Sequence, residues 1–129
     1  MNSFLIIANI ITLLSLFVHV FYGDKDIRSI EPEGGNLKKL ENWIMARGAF
    51  HVFSADLLMF TIGLTLINFT SLLDEHRTML LMIMSIWLLF YAVFFFVTVL
   101  ISKPLSNKFL KLFQWAVFIA MSGLIYLGI

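Results

Sequence analysis

Two histidines, His19 and His51, are the residues of this chain whose type and placement suggest the most chemistry. Each lies inside a long apolar run, where an ionisable side chain is unfavourable and usually has a partner or a function. His19 lies near the end of the first run and His51 about two helical turns into the second, so antiparallel helices would bring the imidazoles to one depth. Such a pair suits a b-type haem or a transition metal, and equally an ordinary hydrogen-bonded contact between helices.

A candidate polar layer extends around the histidines. Arg47 precedes His51 by four residues and therefore shares its helical face. Asp56 is the acidic residue inside an apolar run, which makes it a candidate for a proton path, and Tyr91 is its expected partner on another helix. Gln114 lies near the same level in the last run. The predicted layer consists of His19, Arg47, His51, Asp56, Tyr91 and Gln114.

A second candidate metal site lies at the start of the third apolar run. His76, Met79 and Met82 are close together in sequence there. Imidazole and thioether groups are ligands that suit Cu(I). Methionine in an apolar helix is more often a flexible packing residue, so the pattern leaves both interpretations open.

No catalytic signature is present. The sequence has no His-Glu-x-x-His, no Gly-x-Ser-x-Gly, no glycine-rich phosphate loop and no acids paired at a useful spacing. It also has no Cys, which excludes disulfides and thiolate metal sites. A hydrolytic or transferase site combining His19, Asp24 and His51 remains an alternative. Asp24 lies among mixed charges, however, which are typical of a solvated loop.

Four long apolar runs position these residues. They cover 4–22, 43–69, 79–101 and 109–129, in a chain that is 60% hydrophobic and 13% charged. Each run has about the 20 residues that a helix needs to cross roughly 30 Å of hydrocarbon. Backbone polar groups must be satisfied within a membrane segment, which favours helices. We therefore predict an all-α integral membrane four-helix bundle of antiparallel hairpins, forming one transmembrane domain over 1–129.

The connections between the runs contain turn signals. Pro32, Gly34 and Gly35 indicate a turn in a loop from Gly23 to about Asn36. Asn36 is a suitable cap for an interfacial cytoplasmic segment over about 36–43 that leads into the second run. Whether one helix then continues from 37 to 68 past Gly48 is open.

The basic residues predict the orientation. Eight of the nine Lys and Arg lie in the first and last connections, and Arg77 lies in the other. Basic connections remain cytoplasmic, so both termini should be extracytoplasmic in a multi-pass inner-membrane protein. We expect contacts with anionic lipids at the cytoplasmic face and no nucleic-acid binding. The eight cations are Lys25, Arg28, Lys38, Lys39, Arg47, Lys103, Lys108 and Lys111.

The first half of the chain resembles a family of small four-helix bacterial membrane proteins of uncharacterised function. The resemblance rests on His19-Val-Phe-Tyr-Gly-Asp-Lys at the end of the first run, followed by Arg47 and His51 in the second. It implies that His19, Gly23, Asp24 and His51 are functional positions, and it implies no reaction.

Two kinds of function follow from these patterns. The first, which we favour, is a non-enzymatic bundle that acts by association, as a homo-oligomer or as an accessory subunit of a larger membrane complex. The second is a cofactor or ion protein, with haem or a metal at His19 and His51 or a proton path through Asp56. A cofactor requires inward imidazoles with room between the helices, whereas association requires hydrogen-bonded imidazoles in a packed centre.

Overall fold

The structure is a computed structural model that describes all residues from 1 to 129, and it is helical without strands. This confirms the all-helical part of the predicted fold. The helices, in chain order, are α1 (Ser3–Phe17), a π-helix (Val18–Gly23), α2 (Asp24–Ser29), α3 (Leu37–Phe69), a 3₁₀ turn (Asp74–His76), α4 (Arg77–Ile101), α5 (Lys108–Lys111) and α6 (Gln114–Leu127).

The first helical segment is longer than the first apolar run. The helix α1 continues through the π-helix into α2, so that Ser3–Ser29 is helical throughout. The prediction of a loop that begins at Gly23 is therefore wrong for its first seven residues, which are helical. Asp24 and Arg28 are four residues apart and form an ion pair through two hydrogen bonds. These local interactions extend the helix beyond its apolar part.

The helix α3 is continuous over 33 residues. Gly34 and Gly35, with φ of 86° and 74°, form the predicted turn before it. The Oδ1 of Asn36 accepts the backbone N–H of Lys39 at 3.1 Å, which confirms the expected cap. The segment 36–43 is thus the beginning of α3, and Gly48 causes no break.

The fourth apolar run differs from its prediction. Instead of one helix over 109–129, the structure has the single turn α5, a break at Leu112 and Phe113, and the 14-residue helix α6. Leu112 has φ of −114° and ψ of 58°, which interrupts the helical hydrogen bonding. At 1.5 Å per residue α6 is roughly 21 Å long, short of a hydrocarbon core of about 30 Å.

Three helical segments are long and apolar enough to cross a membrane, as judged from length and composition. These segments are Ser3–Ser29, Leu37–Phe69 and Asp74–Ile101, and α6 is a shorter apolar helix. Many of their large apolar side chains are exposed; Phe94, for example, is 69% exposed. Apolar exposure on this scale is typical of a surface that faces lipid or another protein.

The chain forms two compact units. The discontinuous unit consists of Met1–Ala8 with Leu64–Ile129. In it, α4 and α6 pack against each other around a buried core that includes Leu81, Leu88 and Met121. Buried hydrogen bonds between Ser85 and Ser122 join the two helices.

The continuous unit consists of Asn9–Gly63. It contains the end of α1, the π-helix, α2 and most of α3. Its buried residues include Leu57 and Phe60, and also Thr12 and Asp24. A buried carboxylate needs paired charges and hydrogen bonds, and its partners form the candidate site.

Candidate functional site

Asp24 is the centre of a charged cluster in the continuous unit. Its Oδ2 accepts hydrogen bonds from Nε of Arg28 at 2.7 Å and from Nη2 of Arg47 at 3.3 Å, as well as from Nη2 of Arg28. Its Oδ1 accepts from Nε of Arg47 at 2.9 Å and lies 3.0 Å from Nε2 of His51. Both oxygens are therefore saturated by donors, the arrangement that an ionised carboxylate requires when it is buried. We call Asp24, Arg28, Arg47 and His51 the Asp24 cluster.

The cluster is open on one side. The Asp24 side chain is 6% exposed, whereas Arg28 is 62% and His51 is 44% exposed. Arg47 is intermediate at 32%. The carboxylate is thus held at the bottom of the cluster, and the cations that neutralise it extend outward.

Trp43 fixes the position of Arg47. Its indole Nε1 donates to the backbone carbonyl of Ile27 at 2.9 Å, which ties α3 to α2. The guanidinium of Arg47 lies 5.5 Å from the centre of the indole ring, within the range of a cation–π contact. The residues of α2 and the beginning of α3 are therefore joined by an ion pair, a side chain to backbone hydrogen bond and a ring contact.

His19 lies beside the cluster and has its own partners. Its ring stacks on Phe50 with centroids 3.6 Å apart, and Phe53 contacts it edge-on. Its Nε2 lies 2.9 Å from the carbonyl oxygen of Phe50 and donates to it. The π-helix around His19 is a local widening of the helix, of the kind that often occurs at functional sites.

Gly23 allows the close approach of Phe50. A Cβ atom built on Gly23 would lie 2.5 Å from Cζ of the phenyl ring, closer than real Cβ contacts. A larger residue at this position would force the ring of Phe50 to shift. This gives a physical reason for the glycine in the pattern His19-Val-Phe-Tyr-Gly-Asp.

The structure brings together part of the predicted layer. His19, Arg47 and His51 occur in one unit, and Arg47 and His51 are joined through Asp24. The interpretation of Asp24 as a solvated loop residue is wrong, because two guanidinium groups and an imidazole surround it. The Asp24 to Arg28 spacing of four residues was the available signal, provided that the helix was extended to Ser29.

The other candidate residues lie elsewhere. Asp56 is half-buried on α3 in the continuous unit. Tyr91 contacts Trp87 and Phe118 in the discontinuous unit, and Gln114 is exposed at the start of α6.

The residues proposed as copper ligands are all exposed. His76 lies in the 3₁₀ turn before α4, and Met79 and Met82 are 55% and 46% exposed on α4. The two thioethers belong to the apolar surface of that helix.

The two imidazoles are occupied by the protein itself. The Nε2 of His19 is bonded to a backbone carbonyl, and the Nε2 of His51 to a carboxylate. A haem or metal bound through these atoms would have to break both hydrogen bonds. The arrangement instead connects the end of the first helical segment to α3. No family model, curated protein or solved structure matches the chain.

Proposed function

We propose that this chain is an integral membrane protein that acts by association and not by catalysis. The helices form a four-helix antiparallel bundle in the inner membrane, in the manner of the small bacterial membrane proteins that the first half resembles. The partner is a second copy of the chain or another membrane protein. The eight cations of the first and last connections face the cytoplasm and its anionic lipids.

One observation carries this proposal: the polar groups of the candidate site are hydrogen-bonded to one another, while the apolar faces of the helices are exposed. Asp24 accepts from Arg28, Arg47 and His51, and His19 donates to Phe50. A site whose polar groups are hydrogen-bonded in this way has a structural role, because it joins the helices to each other. The exposed apolar side chains of the long helices are left to make the external contacts.

The exposed apolar surface also offers contact area to a neighbouring helix in lipid. Association of helices in a membrane relies on van der Waals packing and on hydrogen bonds between helices. Aromatic residues are abundant on α4, where Phe90 and Phe94 are 57% and 69% exposed. This face provides a large rigid area for contact with lipid or a neighbouring helix.

The proposal is tested by measuring self-association and cofactor content on the same purified sample. Donor- and acceptor-labelled copies in lipid vesicles should show energy transfer that depends on the ratio of protein to lipid and exceeds that of an unrelated monomeric membrane protein. The absorption spectrum and metal analysis of the wild type should be the same as those of His51→Ala.

A cofactor function would give a different result. It predicts a Soret band or a stoichiometric metal that is lost in His51→Ala, together with no energy transfer above the control. That combination would replace association by the haem or metal alternative at His19 and His51. A proton path through Asp56 would appear as vesicle acidification that Asp56→Asn abolishes.

A further inference from the structure

The discontinuous unit contains an open pocket that is separate from the Asp24 cluster. It has a volume of about 410 Å³ and lies at the end of α3, where Asn68 and Ser71 line it together with Asp74 and Arg77 near the start of α4. Sites for small molecules usually have volumes of roughly 300–1,000 Å³. The pocket is therefore large enough for a small polar group.

Asn68, one of the residues that line this pocket, has a hydrogen-bond donor without a partner in the protein. The residue is 5% exposed, and its Oδ1 accepts the backbone N–H of Asn2 at 2.8 Å. Because an N–H must face an oxygen, this contact fixes the orientation of the amide and leaves Nδ2 on the other side. The Nδ2 atom is buried and has no hydrogen-bond partner in the protein. A buried unsatisfied donor is unfavourable unless a ligand or water accepts from it.

Arg77 and Asp74 supply opposite charges that do not neutralise each other. The Nη1 of Arg77 donates to the backbone carbonyl of Ile67 at 2.9 Å, which holds the guanidinium at the end of α3. Its remaining N–H groups make no hydrogen bond, and no salt bridge joins it to Asp74, although the two residues are three apart. Arg77 is also the basic residue that lies outside the two basic connections. The pocket thus has a cationic and an anionic group available to a ligand.

We propose that this pocket binds a phosphate–ammonium zwitterion such as the phosphoethanolamine head of a phospholipid. The phosphate accepts from Arg77 and from Nδ2 of Asn68, and the ammonium donates to Asp74. A simple anion would be repelled by the carboxylate of Asp74, because it has no positive group to pair with that carboxylate. A choline head has no N–H to donate to that carboxylate. The charges therefore favour ethanolamine over glycerol heads, and the N–H donors of its ammonium favour it over choline heads.

The position of the pocket suits a lipid head. It lies at the polar end of Leu37–Phe69 and of Asp74–Ile101, two of the segments able to cross a membrane. Phosphate and amine groups of lipids occupy this level of a bilayer. Free phosphoethanolamine has the same charged groups, so the experiment has to separate the two sources.

The test uses the full-length protein in detergent with an equal mixture of phosphatidylethanolamine, phosphatidylcholine and phosphatidylglycerol that carry identical acyl chains. Native mass spectrometry then counts the lipids bound. The wild type should prefer the ethanolamine lipid, and Arg77→Gln should lower that binding about tenfold, the effect of one charge-assisted hydrogen bond. Asp74→Asn should remove the preference for ethanolamine over glycerol. Lys111→Gln, an equal loss of charge at an exposed site, should bind as the wild type does.

Asn68→Asp provides a second measurement of the same pocket. It keeps the oxygen that accepts from Asn2 but replaces the free donor by an acceptor, so it should weaken phosphate binding at least as much as Arg77→Gln. If Asn68→Asp is unstable, Asp74→Asn still tests the site, because Asp74 is exposed and forms no ion pair.

Competition with soluble O-phosphoethanolamine distinguishes the two sources. Displacement of the lipid by millimolar O-phosphoethanolamine shows that the charged head is sufficient for binding. Free molecules with this head would then also be ligands of the pocket. Binding of the lipid without such displacement shows that the acyl chains are needed and that the ligand is a membrane lipid. Equal binding of all three lipids by the wild type, or wild-type binding by both Arg77→Gln and Asp74→Asn, would overturn the proposal.

Discussion

At the scale of single residues, Asp24 is the group on which the arrangement of the continuous unit depends. It is the buried acid of the chain, and the donors around it come from both α2 and α3. A buried ion pair is weak evidence for net stability by itself, but removal of one partner leaves the others without compensation. We therefore expect the stability of the protein to be more sensitive to substitution of Asp24 than to substitution of its partners.

Asp24→Asn should lower the thermal unfolding midpoint more than any single change of its partners. An amide cannot accept from two guanidinium groups on both of its heavy atoms, because one of those atoms is a donor. Arg47→Gln should have the next largest effect and Arg28→Gln the smallest, since Arg28 is 62% exposed and water replaces much of its contact. Thermal unfolding in detergent, monitored by circular dichroism, measures the midpoints of the three variants and so their order.

The control for this series is Asp26→Asn on the same helix. Asp26 is exposed and forms no ion pair, so this variant has the same change in charge without loss of the cluster. An equal midpoint for Asp24→Asn and Asp26→Asn would show that the cluster does not stabilise the fold.

Gly23→Ala should destabilise the protein by about 1–3 kcal/mol, the usual cost of forcing a methyl group into a packed position. The added Cβ would lie 2.5 Å from Cζ of Phe50, whose ring also stacks on His19. Phe50→Leu removes the colliding atom, so the same glycine substitution should cost less in that background. Chemical unfolding of the four proteins of this double-mutant cycle measures the difference.

Gly48→Ala is the matched comparison and should stabilise the protein. No atom lies within 4 Å of a Cβ at this position, which is inside α3. Alanine is favoured over glycine in a helix interior by about 0.5–1 kcal/mol. A Gly23→Ala variant as stable as Gly48→Ala would show that Phe50 does not pack closely against the π-helix at Gly23.

At the scale of helices, α4 and α6 are joined by a reciprocal pair of serines. The Oγ of Ser85 donates to the carbonyl of Ser122 at 2.9 Å, and the Oγ of Ser122 donates to the carbonyl of Ser85 at 2.8 Å. The two hydroxyl oxygens are 3.1 Å apart. Small side chains of this type allow helices to approach closely and hydrogen-bond within a membrane.

Ser85→Ala should lower the free energy of unfolding by about 1 kcal/mol, the usual size of such an interhelical hydrogen bond. Ser85→Ala and Ser122→Ala together should cost less than the sum of the two single changes, because they share contacts. Unfolding by SDS titration measures these values. Thr98→Ala is the control, since its hydroxyl bonds within α4 to Phe94 and is exposed; if it cost as much as Ser85→Ala, the serine pair would not join the helices specifically.

The helices also show which features were predictable from the sequence. The first three apolar runs, the cap at Asn36 and the end of α4 before Pro104 are local signals, and the structure confirms the helices, the cap and the helix end that they predict. The extension to Ser29 has one local contribution, the pair of Asp24 with Arg28, and one distant contribution, the contact of Asp24 with Arg47, which is 23 residues away. The break at Leu112 depends on its unusual backbone angles, for which the apolar sequence gives no sign.

The candidate site was predictable only in part for the same reason. His19 and His51 were found because imidazoles in apolar runs are conspicuous, and Arg47 because it shares a helical face. Asp24 was assigned to a loop, since its neighbours in sequence are charged and its partners lie on another helix. The donor of Asn68 required the contact with Asn2, 66 residues away, to fix the orientation of the amide.

At the scale of the whole molecule, the distribution of charge and the apolar segments predict one orientation in the membrane. Eight cations lie on one side of the predicted topology and Arg77 on the other. The chain contains no cysteine, so single cysteines can be introduced without a labelled background. This makes the orientation directly measurable.

Leu72→Cys should react with a membrane-impermeant maleimide in intact cells, whereas Glu33→Cys and Ser106→Cys should react only after permeabilisation. All three positions are exposed, and they lie in the three connections between the apolar runs. The reason is that the connections with many cations are retained in the cytoplasm. The cysteine-free wild type is the control, and the reverse pattern of labelling would contradict the predicted orientation.

Ile129→Cys then shows whether α6 crosses the membrane. The 14 residues of this helix are fewer than a crossing usually requires. If α6 crosses, the terminus should react from outside like Leu72→Cys, because the connection before α6 is predicted to be cytoplasmic. Local thinning of the bilayer or tilt of neighbouring helices accommodates a short apolar helix at modest cost. Reaction only after permeabilisation, as for Ser106→Cys, would place both ends of α6 on the cytoplasmic side and reduce the crossings to three.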